Sequence, residues 1–316
     1  MRVLITEIIW NEGIEELIKQ GFEVDYDETL WKQREKLLDM VKDYDALIVR
    51  NQTKVDRELL NAGIQLKVVG RLGVGLDNID TAQAKKRGIP VVYARHANAT
   101  SVAEYVMNAV LSANRPLYLA DEDIKAGNWN RKSFTGGEIA GKTIGLIGLG
   151  EISHRVAKRA FAFGMNVIGY DPYITENDYI VTETGVQVKE TLEEVLTQSD
   201  FISIHVPLTP ATHYLISESE LNLMKSTAFI INTSRGGIIN ETALAAALNQ
   251  HTIAGAFLDV LEVEPISPSN KLLFCETAMI TPHIAGLTEE SQIRTSVLVA
   301  KEAGKIVKGE KSLCVI

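Results

Sequence analysis

Short apolar runs that alternate with stretches of helical periodicity constrain this chain more than any other feature. One series comprises VLI (3–5), ALIVR (46–50), KVVG (67–70) and PVVY (90–93). A second and cleaner one begins at Thr143 with TIGLIG and continues through NVIGYD (166–171), DFISIHV (200–206), AFIINT (228–233) and IAGAFLDV (253–260). Apolar runs this short, spaced by helical segments, read as strands of a parallel sheet covered on both faces by helices. The 316 residues are too many for one ordinary core and suit two domains of ~150 residues each. The fold class expected is therefore α/β, with the second series forming one doubly wound sheet.

Between the two series, Thr100 to Ala140 begins with a helical pattern (Val102, Tyr105, Val106, Ala109, Val110, Ala113) and then meets Pro116. This reads as an interdomain helix followed by an irregular arm. A second long helical pattern runs from Thr288 to Val307, with Thr288 as N-cap and Glu289 and Glu290 in the first turn. Such a helix would carry the chain back to the first domain, and KSLCVI would add a strand to its sheet. The expected division is 1–99 with 285–316 for one domain, and 100–284 for the other.

Composition narrows the function classes. The net charge of −9 offers no general attraction for nucleic acid, so a small-molecule partner is expected. No window approaches the ~20 apolar residues that span a bilayer, and MRVLITEIIW reads as a buried strand instead of a signal peptide. A cytoplasmic protein with no membrane partner is the expectation. Cys275 and Cys314 lie outside any C-x-x-C pattern and read as plain thiols.

After the first strand of the second series comes GLGEIS (148–153). In a G-x-G-x-x-G turn the first glycine makes the tight turn, the second lets backbone approach a pyrophosphate, and the third allows close helix–strand packing. Only the third is missing, replaced by Ser153, and a serine there can bond to a carbonyl one turn back. The anion site at the helix N-terminus does not need that glycine. Asp171 ends the next strand 23 residues after Gly148, where a carboxylate meets the hydroxyls of an adenosine ribose and repels a 2′-phosphate. NAD is the cofactor expected.

Three further stretches follow: NTSRGG with Arg235, LDVLEVEP with Asp259 and Glu264, and TPHIAG with His283. Each falls at or beyond the C-terminal end of an apolar run, where open α/β sheets bind ligands. With TKVDRELL, VVGRLGVGLDNID, GKTIGLIGLG and HVPLTP, these stretches make the chain from Asp45 to Lys311 resemble the D-isomer-specific 2-hydroxyacid dehydrogenases, especially phosphoglycerate dehydrogenases. The resemblance implies a Rossmann-type NAD domain plus a smaller flavodoxin-like α/β substrate domain, discontinuous in sequence. It also implies a homodimer whose arm spans about 114–140, and the catalytic set Arg235, Glu264 and His283. The cofactor residues implied are Gly148, Gly150, Glu151, Ile152, Asp171, His205, Val206, Pro207, Thr212, Thr233, Ser234, Arg235, Asp259, His283 and Gly286. The substrate residues implied are Arg50, Arg71, Leu72, Gly73, Val74, Gly75, Arg95, Asn98, Arg235 and His283.

Chemistry supports those residue types independently. Hydride delivery to the carbonyl carbon of a 2-oxo acid leaves negative charge on oxygen, which needs a proton from a group titrating near neutrality, as histidine does. A neighbouring carboxylate, here Glu264, would favour the imidazolium and fix the ring. Arg235 offers a planar fork to the substrate carboxylate, and Gly73 and Gly75 could bring backbone amides to it. Taken singly, a loop histidine, an Arg-Gly-Gly turn and a Glu-Pro step are more often structural; their joint occurrence behind a nucleotide fingerprint reverses that weighting. His154, His213 and His251 have no partner at ligand spacing, no metal is suggested, and DEDIK (121–125) reads as a solvated helix face.

Arg50 in VRNQTK and Arg71 in GRLG match the phosphate-reading arginines of phosphoglycerate dehydrogenases, which implies an anion on carbon 3 of the substrate. Nearby the chain departs from that pattern. Asn51 and Gln52 replace smaller residues, Leu72 stands where alanine is usual and would narrow the pocket, and Arg95-His96 precedes Asn98. Phosphoglycerate, sulfolactate and hydroxypyruvate or glyoxylate chemistry therefore all stay open. The sequence ends after the closing strand, so the regulatory domains of longer relatives, and feedback by serine, are not expected. A non-catalytic NAD-sensing protein is the alternative from a different class.

Overall fold

All the strands of the computed structural model, which describes residues 1–316, run parallel to their neighbours, in two separate sheets. The sheets belong to two units, Met1–Asn98 with Leu287–Ile316, and Ala99–Gly286.

The first unit contains β1 (Arg2–Ile5), α1 (Asn11–Lys19), β2 (Glu23–Tyr26), α2 (Arg34–Met40), β3 (Ala46–Val49), α3 (Arg57–Ala62), β4 (Val68–Arg71), α4 (Thr81–Lys86) and β5 (Val91–Tyr93). Its sheet order, β2-β1-β3-β4-β5, is the flavodoxin-like winding. Side chains alternate between its two faces. Val3, Ile5, Ile48 and Val68 pack with Val299 and Ala303 of the C-terminal helix, whereas Leu4, Leu47, Val49 and Val69 pack with Leu37, Leu59 and Leu60.

The second unit begins with α5 (Ala99–Asn114) and α6 (Leu117–Lys125). It continues through β6 (Thr143–Ile147), α7 (Glu151–Ala162), β7 (Asn166–Tyr170), α8 (Tyr179–Thr184), β8 (Gln187–Val188), α9 (Leu192–Gln198) and β9 (Phe201–Ile204). It closes with α10 (Glu218–Leu223), β10 (Phe229–Asn232), α11 (Glu241–Asn249), β11 (Gly255–Leu258) and β12 (Ala278–Ile280). The order β12-β11-β10-β9-β6-β7-β8 is a Rossmann winding in which β6 sits where the strand order reverses, so a crevice opens at the C-terminal ends of β6 and β9. The chain then returns to the first unit in α12 (Glu289–Val307), whose N-cap Thr288 accepts from the Ser291 amide at 3.2 Å.

Several details differ from the sequence expectations. The arm is irregular only in part: Pro116 sits at the N-cap of α6, a helix with no buried residue, and residues 126–140 beyond it carry no helix or strand. Leu117 and Tyr118 of that helix and nearby Trp129 are exposed by more than two thirds. The strands β2, β8 and β12 went unread because each lies at or near a sheet edge and is at most half-buried, so no apolar run marks it. The last residues lie antiparallel along β5 through a single bridge between Val92 and Val315, with the Tyr93 amide donating to Cys314 O at 3.0 Å, instead of forming a full strand. No helix is long and apolar enough to cross a membrane.

Candidate active site

In the second unit, β6 runs into Gly148, whose φ of +89° turns the chain, and an added Cβ there would meet His205 O and Val206 Cγ1 at 2.8 Å. Only glycine fits that approach. Beside Gly150, the N-cap of α7, a Cβ would meet nothing within 4 Å, so the space next to this helix N-terminus is open, as an anion site requires. Ser153 is fully buried and donates its hydroxyl to Gly148 O at 2.5 Å; the residue that replaces the third glycine thus braces the turn made by the first. Glu151, also in the first turn, is tied to Arg155 at 2.6 Å, and Ile152 packs against the apolar core.

Asp171 follows β7 directly. Its carboxylate accepts from the Leu149 amide of the glycine turn and from the Tyr173 amide, both at 2.9 Å, which fixes both oxygens beside the turn with further lone pairs to offer. Across the sheet's switch point, burial pushes His205 down to about 3 and keeps it neutral; its Nε2 meets Ser203 Oγ at 2.9 Å while its buried Nδ1 has no partner. Thr233 Oγ1, just past β10, is likewise buried without a partner. Pro207 O accepts from Thr212 Oγ1 at 2.6 Å, and Val206 O accepts from Ser234 Oγ. The open helix terminus, the anchored acid and the orphaned polar atoms together fit a dinucleotide such as NAD, with the acid disfavouring a 2′-phosphate.

The turn after β10 is organised by Asn232, a residue the sequence reading passed over: its Nδ2 donates to Arg235 O at 2.9 Å and its Oδ1 accepts from the Ser234 amide at 3.0 Å. Arg235 Nη1 donates to Ser234 O at 2.7 Å. Next in sequence, Gly236 lies so close to the loop after β11 that a Cβ would stand 1.9 Å from Leu261 O. This contact sets the Arg235 turn against the loop that carries Glu264. Within that loop Glu264 Oε1 accepts from the Leu261 amide at 3.0 Å, and Oε2 meets His283 Nδ1 at 2.8 Å, both side chains being part-exposed.

His283 has φ +57°, a conformation uncommon for a side-chain-bearing residue. Its amide donates to Asp259 O at 2.9 Å and to Thr281 O at 3.0 Å. The Asp259 side chain is buried and accepts from Thr281 Oγ1 at 2.6 Å, from the Ile284 amide at 2.7 Å and from the Ala285 amide at 2.7 Å. Gly286 is the last residue of this unit. Of the histidines set aside, His154 pairs with Glu183 at 2.7 Å, in a cluster where Lys158, Tyr179 and His154 hold the Glu183 carboxyl down at about 2.

The residues of the first unit expected to read substrate sit at the C-terminal ends of three adjacent strands, where Val49 of β3 pairs with Arg71 of β4 and Arg71 pairs with Tyr93 of β5. Arg50 follows β3 in a turn caged by Glu7. The buried Glu7 carboxylate accepts the amides of Arg50 (2.9 Å), Asn51 (3.0 Å), Gln52 (2.8 Å) and Thr53 (2.8 Å), a role its place after an apolar strand did not disclose. Arg71 lies across Gly73 and donates to Leu72 O at 3.1 Å. Leu72 itself is buried in the apolar core, so its side chain supports the loop from beneath and does not narrow a pocket. Val74 and Arg95 are exposed, Gly75 and Asn98 half-buried, and Arg95 Nε donates to His96 Nε2 at 3.0 Å.

Comparison with known proteins adds to this geometry. Residues 107–285 match the NAD-binding domain of D-isomer-specific 2-hydroxyacid dehydrogenases. The chain is 44% identical over 310 residues to a D-3-phosphoglycerate dehydrogenase of Methanocaldococcus jannaschii, covering 98% of this chain but 58% of that protein. It is 42% identical over 294 residues to an (S)-sulfolactate dehydrogenase of Chromohalobacter salexigens, covering 93% and 94% of the two chains. A glyoxylate reductase structure from Paecilomyes thermophila superposes with a TM-score of 0.87 at 31% identity, covering 100% and 98%. The chain thus spans little more than half the length of some of the relatives it matches.

Proposed function

Because the chain belongs to the D-isomer-specific 2-hydroxyacid dehydrogenases, we propose that it interconverts a small 2-oxo acid and its D-2-hydroxy acid. The observation that carries this reading is the His283–Glu264 pair at 2.8 Å, on a loop against which the Arg235 turn is packed. Bound NADH supplies a hydride to carbon 2. Arg235 holds the substrate carboxylate by paired, charge-assisted hydrogen bonds and so orients the carbonyl. With Nδ1 engaged by Glu264, Nε2 is the nitrogen of His283 left to give its proton to the carbonyl oxygen as that oxygen gains charge. In the oxidative direction the same nitrogen, deprotonated, takes the hydroxyl proton.

The units take separate tasks in this reading: residues 100–284 bind NAD, and 1–99 with 285–316 read the substrate. Gly73, Val74, Gly75 and Asn98 are assigned to the substrate's polar groups, and Arg50, Arg71 and Arg95 to a second anion on carbon 3. The Glu7 cage supports that assignment for Arg50, because it fixes the turn from which the guanidinium extends. A homodimer is part of the reading, supported by the apolar side chains that α6 and Trp129 leave exposed. A cytoplasmic location fits the two free cysteines.

The test is NADH oxidation with phosphohydroxypyruvate, sulfopyruvate, hydroxypyruvate, glyoxylate and pyruvate, repeated in Arg71→Ala. Turnover is expected, with the two anion-bearing acids favoured in wild type and that preference reduced by the mutation. Equal kcat/KM for phosphohydroxypyruvate, sulfopyruvate and hydroxypyruvate, unchanged by the mutation, removes the anion assignment; no turnover of any acid removes the enzyme.

A further inference from the structure

The tyrosine hydroxyl at residue 105 has a place in the second unit that the mechanism above does not use. Tyr105 lies on α5, the helix that opens this unit, and its position in the sequence is that of one more apolar-face residue. In the structure its ring is half-buried and its hydroxyl meets Thr281 Oγ1 at 2.6 Å. Thr281 has one hydroxyl proton, and it gives that proton to the buried Asp259 carboxylate, also at 2.6 Å. The direction of the chain follows: Tyr105 O–H donates to Thr281, and Thr281 O–H donates to Asp259. Burial also pushes the Tyr105 phenol above its usual range, so it stays a donor. Asp259 in turn accepts the amides of Ile284 and Ala285, while its own carbonyl accepts the amide of His283.

We propose that Tyr105 is a positioning residue for His283, acting through Thr281 and Asp259. The need for such a residue lies in the backbone. His283 is held at φ +57°, which persists only where surrounding bonds over-determine it. Those bonds are the ones this relay aligns. If the tyrosine donor is removed, Thr281 is free to rotate away from Asp259, and the chain of polarised hydrogen bonds loses its first member. The helix that carries Tyr105 is itself anchored, because Val106 and Val110 pack in one apolar cluster with Val156 and Ala160 of α7. The relay therefore references the histidine loop to the same helix layer into which the glycine turn leads.

The catalytic half of this inference rests on the function proposed above; the positional half does not, and the experiment reads both. Tyr105→Phe, Thr281→Val and the double variant are compared with wild type in the full chain, by amide hydrogen exchange and by steady-state kinetics. In Tyr105→Phe, exchange at Ile284 and Ala285 is expected to quicken about two- to tenfold, with core amides of β6 and β9 unchanged. A fall in kcat of similar size is expected, with the KM for NADH unaltered. The double variant is expected to be no worse than Thr281→Val alone, since both act on one chain of bonds. Unchanged exchange at Ile284 and Ala285, acceleration spread evenly through the core, or additive losses in the double variant would overturn the relay. If wild type turns over no 2-oxo acid, the proposed function fails and the exchange rates alone decide the role of Tyr105.

Discussion

Adding one methyl group at Gly236 should uncouple the two halves of the candidate active site. A Cβ at this position would stand 1.9 Å from Leu261 O, 2.1 Å from Leu261 C and 2.5 Å from Glu262 N. These are backbone atoms, so no side-chain rotation relieves the clash. Ordinary carbon–oxygen contact is ~3.3 Å, which means that in Gly236→Ala the turn and the loop must part by about 1.4 Å. The loop carries Glu264 and the turn carries Arg235, so the displacement separates the carboxylate paired with His283 from the guanidinium proposed to orient the substrate. Overpacking of this kind costs about 1–3 kcal/mol, which corresponds to a drop in melting temperature of roughly 2–12 °C for a unit of this size. A misplacement near 1 Å in a reacting constellation costs up to ~10²-fold in rate. We therefore expect kcat for 2-oxo acid reduction to fall about 10- to 100-fold, with NADH binding, followed by quenching of protein fluorescence, changed much less. A Gly236→Ala protein with kcat within threefold of wild type and an unshifted melting temperature would refute the idea that this contact sets the site.

Three further outcomes are expected. His283→Ala should lower kcat by about 10²–10⁴-fold with the NADH dissociation constant near that of wild type, because a proton donor is lost and the glycine turn is intact; near-normal kcat counts against the assignment. Wild type should have the higher kcat/KM with NADH, and Asp171→Asn should shift the NADPH-to-NADH ratio upward by about tenfold as the charge is removed; a wild type that prefers NADPH contradicts the role of Asp171. His205, held at about 3 by burial, stays neutral in the fold while its unfolded counterpart takes up a proton near pH 6.5. Its contribution is therefore complete above that pH and declines as pH falls from about 6.5 toward 3, by up to ~1.4 kcal/mol per pH unit. His205→Gln should accordingly lose stability less steeply than wild type between pH 6.5 and 4.5, and parallel denaturation curves would argue against a buried neutral histidine.

What the sequence disclosed, and what it withheld, follows from how each feature earns its stability. Central strands such as β6, β9 and β10 are buried on both faces and so are mostly apolar, with Ser203 and Asn232 as buried polar exceptions; edge strands such as β2 and β8 are not, and they left no such mark. Glycine turns and strand-end acids are local, so GLGEIS and Asp171 were readable at fixed spacing. Glu7, Asn232, Gly236 and Tyr105 were not. Their roles depend on backbone or hydroxyl partners brought near by folding, such as the amides of residues 50–53 for Glu7 or Thr281 for Tyr105. Leu72 shows the reverse error: its neighbours in sequence are candidate substrate residues, yet its side chain turns into the core, a direction that sequence order does not encode.

In the proposed reaction hydride passes between the nicotinamide and carbon 2 of a D-2-hydroxy acid, with His283 supplying the proton. The measurement uses NADH carrying deuterium at both positions on carbon 4 of the nicotinamide, supplied in turn with each 2-oxo acid whose product is chiral, with the product examined by mass spectrometry and chiral chromatography. Wild type is expected to form a D-2-hydroxy acid bearing one deuterium at carbon 2, at an initial rate at least a hundredfold above that of His283→Ala. An L-configured product, or the absence of any deuterated hydroxy acid from wild type with all of the substrates, would contradict it.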